Sequence, residues 1–193
     1  MRALRYVLSL PRLTVRPTAS PAGERVRAGI ASRPLRARWG VRLAQPVLAV
    51  PATEAAYVTG NRRQTVRKNA RKAVRDGYRC RLVDVDEALA VHGLAVPDGR
   101  LVAVAEAADG TPRAITLATV DSRVALLEGM LKLGDGAPSS VRYLLHLYLM
   151  ERLRIAGAGH LLAALPPPDR TGLQYFQHIL GFVPTNVILG PPA

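Results

Sequence analysis

The stretch LVAVAEAADGTPRAITLATVDSRVALLEGMLKL, Leu101 to Leu133, decides the architecture. It holds three apolar runs, 101–107, 114–120 and 124–133, each of strand length and rich in Val, Leu and Ala. The first link contains Asp109-Gly110, a dipeptide suited to the positive φ of a hairpin turn. The second link, Asp121-Ser122-Arg123, has room only for a reversal of direction. Strands joined this tightly pair antiparallel, so a three-stranded meander is expected. Glu128 falls in its third strand among Leu126, Leu127 and Met130. A carboxylate there either faces out and is solvated, or faces in with a raised pKa and a function. Glu106 is a similar but weaker candidate.

Downstream, VRYLLHLYLMERLRIAG (141–157) is apolar on most sides, so a central, well-covered helix is expected. Ser139 or Ser140 is its expected N-cap, and Gly157 or Gly159 its end. HLLAALP reads as a further strand, parallel to its neighbour because a helix intervenes. TGLQYFQHIL reads as a short helix, and Gly181-Phe182 lead into a last strand. Upstream, PVLAVP reads as a strand, and Thr53 caps a helical pattern that runs to Asp76, with Gly60-Asn61 as a break. YRCRLVDV alternates like a half-buried strand, and residues 86–95 read as a short helix or loop. The fold class is therefore α/β: a mixed sheet with a central antiparallel meander, a parallel C-terminal part and helices on both faces.

Of 193 residues, 49% are hydrophobic and 21% charged, which suits a soluble globular chain. One cysteine, Cys80, excludes an intramolecular disulfide and a cysteine metal cluster. The histidines at 92, 146, 160 and 178 share no HxH or HxxxH spacing, so no metal is expected. His146, among leucines, reads as a core histidine, and His178 as a residue that reaches the cleft. No run approaches the ~18 apolar residues of a membrane span. The short run before Pro11 lacks the form of a secretory signal, so a cytoplasmic setting is expected.

The net charge of +13 is segregated. Residues 1–45 hold ten arginines, one acid and prolines at 11, 17, 21 and 34. They read as a basic extension with one short strand at 4–10, ahead of a domain at 46–190. The stretch between Gly60 and Gly77 has seven Arg and Lys against Asp76 alone. Arg63, Arg67, Arg71 and Arg75 recur every four residues and form one helical row; Val58, Val66, Ala70, Ala73 and Val74 fall opposite. Such a row is either a solvated face or a site for a polyanion such as tRNA or a diphosphate.

Three motifs carry a family resemblance. The meander 101–133, the stretch SSVRYLLHLYLMERLRIAGAGHLLAAL and the closing GLQYFQHILGF together resemble the GNAT acyltransferase superfamily over residues 101–189. YVTGNRRQTVRKNARKAVRDGYRCRLV is similar to a basic helix of its Fem-type branch, which contains aminoacyl-tRNA-using transferases. The resemblance implies transfer of an acetyl or aminoacyl group to an amine. The donor would be acetyl-CoA or another acyl-CoA, with aminoacyl-tRNA as the alternative.

The family's glycine-rich phosphate turn aligns here with Ser139 and Val141, so its pattern is broken. Ser139, Ser140 and Arg142 are the implied cofactor-binding residues, and Val141 is expected to hold a diphosphate away from the backbone. The family's acid, a Tyr five residues before the closing Phe, aligns with Gln177. Tyr175 can take that role only with a shifted register; the other reading for it is packing. Glu128 sits where members place a base. A non-catalytic GNAT-fold module with a basic face for RNA or another polyanion is the competing reading.

Overall fold

The computed structural model describes residues 9–31, 44–60, 63–84, 86–87, 99–163 and 171–191. In chain order these form β1 (Arg12–Val15), α1 (Pro21–Ala31), β2 (Gln45–Ala49), α2 (Glu54–Val58), α3 (Gln64–Arg75), β3 (Arg79–Val83), β4 (Arg100–Glu106), β5 (Pro112–Asp121), β6 (Val124–Lys132), α4 (Ser139–Ile155), β7 (His160–Ala163), α5 (Thr171–Leu180) and β8 (Val183–Leu189). The strands make one sheet in the order β1-β8-β2-β7-β6-β5-β4-β3. Among the described residues no helix is long and apolar enough to cross a membrane.

The meander forms as its links dictate: β4, β5 and β6 are antiparallel, and β3 adds to β4 in the same sense. β7 lies parallel to β6. The parallel part does not continue: β2 inserts between β7 and β8 and runs antiparallel to both.

Side chains alternate between two cores, as the pleat requires. Ala125, Leu161 and Ala163 face α2 through α5, while Leu126, Leu162 and Val47 face α1. Leu145, Leu149 and Leu153 make α4 the central helix, each with no exposed surface. Burial of each stabilises the fold by about 1.5–3 kcal/mol.

Three sequence expectations need correction. The first concerns the N-terminal extension. Its strand lies at 12–15, paired in parallel with β8 from Arg12↔Asn186 to Val15↔Leu189; most of the expected 4–10 strand lies outside the described residues. Val26 and Ile30 of α1 are buried against the sheet, and Thr18 is tied to Asp121 through its N–H (2.9 Å) and hydroxyl (2.6 Å). Residues 12–31 thus belong to the folded unit, and position 45 does not divide a tail from a domain.

Second, the N-cap of α4 is Pro138, already extended at φ −68° and ψ 151°, so Ser139 and Ser140 lie inside the first turn. Third, Val74 does not share the buried side of α3: it is 58% exposed. The expected break is present. Gly60 takes φ +87°, which separates α2 from α3, and the Thr53 hydroxyl caps α2 by accepting from Ala56 N at 3.1 Å.

Candidate functional site

Among the described residues β6 pairs with β7 as far as Leu127↔Ala163, and β6 continues to Lys132. Beyond that point a cleft of about 460 Å³ opens between β6, the start of α4, and α5. Its lining is mostly apolar; Glu128, Arg142 and Gln177 are the polar residues.

Glu128 owes its position to a β-bulge. Ala118 pairs with Leu127 and Leu117 with Gly129, so Glu128 is the extra residue between them. Arg100 grips its carboxylate with two bonds, Nε to Oε1 at 2.9 Å and Nη2 to Oε2 at 2.5 Å. The Thr119 hydroxyl donates to the same Oε1. Glu128 is therefore neither a solvated surface acid nor an isolated buried one. It is an acceptor oriented by a bidentate, charge-assisted pair.

The opposite wall carries an unspent cation. Arg142, in the first turn of α4, lies over Phe176 of α5 with its guanidinium carbon 4.7 Å from the ring centroid. Its buried Nε has no hydrogen-bond partner, and neither does the Ser140 hydroxyl. The first N–H groups of a helix lack intrahelical acceptors and attract anions. Arg113 of β5 stands beside the loop ahead of α4: its Nη1 lies 3.6 Å from where a Cβ on Gly136 would stand. Sequence reading missed Arg113 because it precedes α4 on another element. The unpartnered Arg142 Nε and Ser140 hydroxyl at this helix start are polar groups of the kind an anion engages.

No family model and no curated protein matches the chain. Among solved structures, FemX superposes with a TM-score of 0.56 at 9% identity, over 93% of this chain and 65% of that chain. The L-PGS of Bacillus licheniformis gives 0.54 at 14% identity, over 73% and 57%. The C-terminal domain of an Agrobacterium fabrum protein described as a lysylphosphatidylglycerol synthetase gives 0.50 at 21%, over 70% and 51%. The fold is the GNAT fold. The chain spans between about half and two thirds of the length of these structures.

Against that fold, the residues singled out by sequence divide clearly. Glu128 and Arg142 line one cleft. Ser139 and Ser140 stand at the helix start beside it, without lining it. Val141 is fully buried against Ala103, Ala105 and Ala114, so its side chain does not stand between the backbone and a ligand. Tyr175 is 67% exposed and lines a separate groove with Arg63 and His178, so the structure does not bring it to Glu128. Gln177 is the polar α5 residue among those that line the cleft. Glu106 is paired with Arg81.

The arginine row also divides. Arg63 donates from Nη1 to Ile179 O at 2.9 Å and stacks over Tyr57. It lies so close to Gly181, at φ +88°, that a Cβ there would collide with its guanidinium. Arg67 donates to Gly60 O at 2.9 Å and to Val58 O. Arg71 and Arg75 are exposed.

Beneath Arg63, Tyr57 donates to Leu180 O at 2.7 Å and so accepts from His146 Nε2 at 2.9 Å. Burial first, and then the Arg63 charge, push the His146 pKa down to about 3. It is a neutral core histidine that helps to hold the end of α5. No cluster of three potential metal ligands occurs among the described residues.

Proposed function

We propose that the cleft between β6 and α5 transfers an acyl group to an amine. The observation that carries this reading is the cleft itself, which Glu128, held by Arg100 and Thr119, and the Arg142 guanidinium line together. The likeness in fold to FemX and to lysylphosphatidylglycerol synthetases supports group transfer in general. A CoA thioester, when bound, supplies the activated acyl group. Arg142 and the start of α4 would hold its anionic end, with Arg113 beside the loop ahead of that helix. Glu128 accepts an N–H of the amine, directly or through one water, and Arg100 and Thr119 fix the direction of that bond. The apolar walls around Leu127, Met130 and Phe176 exclude water.

A second reading has its own observation: no tyrosine or cysteine lines the cleft among the described residues, so none of these supplies an acid for a leaving thiolate there. On that reading the fold is a binding module. Titration calorimetry with acetyl-CoA, CoA and bulk aminoacyl-tRNA, followed by an acyl-transfer assay on a panel of amines, separates the two. Acyl-CoA binding that falls by about ten- to a hundredfold in Arg142→Ala, the loss of one bond to a charged group, together with turnover, supports the enzyme. Binding without turnover on any amine supports the module. Binding unaffected by Arg142→Ala overturns the site.

A further inference from the structure

The divided arginine row borders a second groove, on the other flank of α4 from the cleft. Leu144 and Leu147 line it from α4, about 200° around the helix from Arg142 in the case of Leu144. Val58 closes one end, and Ala70 and Val74 continue the floor along α3. The groove encloses about 490 Å³. Arg67, Arg71 and Arg75 stand along its rim at intervals of one helical turn. Arg67 is committed to the carbonyls of Val58 and Gly60. No ion pair engages Arg71 or Arg75 among the described residues. Val74, between them in sequence, leaves 58% of its surface in water.

The structure assigns this groove to an acidic amphipathic helix of a partner protein. An aliphatic floor beside cations repeated every four residues is complementary to a helix with apolar residues on one stripe and carboxylates at i and i+4 along its edge. Single-stranded nucleic acid instead stacks its bases on aromatic side chains, and the lining has none. A lipid surface is met by a helix with large apolar side chains on its outward face, whereas Val74 is the only large apolar residue that α3 exposes. Glu54, in the first turn of α2, lines the Val58 end of the groove and favours the positive N-terminal end of an incoming helix there.

The test uses the full chain and a fluorescent synthetic helix of Glu, Leu and Ala, with Glu at i and i+4 beside a leucine stripe. Its controls are a scrambled peptide of equal composition, bulk tRNA and phosphatidylglycerol vesicles. The amphipathic peptide is expected to bind at least tenfold more tightly than the scramble. Arg71→Glu with Arg75→Glu should weaken it at least tenfold, and so should Val74→Asp. All three positions are exposed, so folding is spared, and circular dichroism verifies this. Lys68→Glu, outside the groove, should change binding less than twofold. Equal binding of the scramble overturns the proposal. So does tRNA or vesicle binding that needs Arg71 and Arg75 while Val74→Asp has no effect, which would make the face a polyanion strip.

Discussion

Each side of the cleft has an arginine, Arg100 behind Glu128 and Arg142 in the helix wall, and the two are engaged differently. On the sheet side Arg100 makes two bonds to Glu128, and that side chain is 19% exposed. On the helix side Arg142 rests over Phe176 with its Nε unpartnered. One arginine belongs to the architecture, and the other is available to a ligand. The same division runs along the arginine row, where Arg63 and Arg67 cap backbone carbonyls and, among the described residues, Arg71 and Arg75 do not. Charge in this chain therefore says little about binding until each guanidinium is traced to its acceptors.

The largest effect should come from breaking the sheet-side pair. Arg100→Ala leaves the Glu128 carboxylate, among the described residues, with the Thr119 hydroxyl, in a position 22% exposed. A part-buried charge stripped of a bidentate partner costs about 3 kcal/mol. Adding Glu128→Gln should restore part of that loss. Urea unfolding of the two single variants and the double gives the coupling. Arg142→Ala should do the reverse, with a loss below about 1 kcal/mol from the ring contact and most of its effect on anion affinity. If Arg142→Ala proves the more destabilising of the two, the comparison is wrong.

Much of this was legible in sequence, and the failures have physical causes. The meander could be read because Asp109-Gly110 and the short second link are local signals. The bulge at Glu128 could not. LLEGM is apolar on both sides of Glu128, so the change in alternation leaves no trace, and the bulge exists only relative to Leu117 and Ala118 on the partner strand. The role of β1 was hidden because it depends on parallel pairing with a strand more than 170 residues away. The four-residue spacing of the arginines was plain, but the acceptor of Arg63 is the carbonyl of Ile179, 116 positions along the chain.

The pinned end of α5 offers a pH test. Folded His146 stays neutral down to about pH 3, because burial and then the Arg63 charge oppose protonation. An unfolded histidine takes its proton near pH 6.5. Between those values the unfolded chain binds more protons, so stability is full above about 6.5 and falls as the pH drops towards 3. The slope approaches about 1.4 kcal/mol per pH unit, or about 2 kcal/mol by pH 5. His146→Gln keeps a donor for Tyr57 and does not titrate. The difference between its unfolding free energy and that of the wild type should shift by this amount between pH 7.5 and 5. A constant difference would mean that His146 is accessible to protons in the folded state.

The smallest effects concern α3 and distinguish its two pairs of arginines. Arg63→Ala frees the Ile179 carbonyl at the end of α5 and removes the contact with Tyr57. The cost should be about 1.5 kcal/mol, the low end for a bond to a charged donor, because the side chain is only half-buried. Arg71→Ala and Arg75→Ala remove exposed side chains with no carbonyl or carboxylate in their grip among the described residues, and alanine is the better helix former. Each should leave stability within about 0.5 kcal/mol of the wild type. Thermal or urea unfolding of the three variants in low salt checks this. A loss in Arg71→Ala equal to that in Arg63→Ala would show that the row acts as one structural unit, with no arginine left over for a partner.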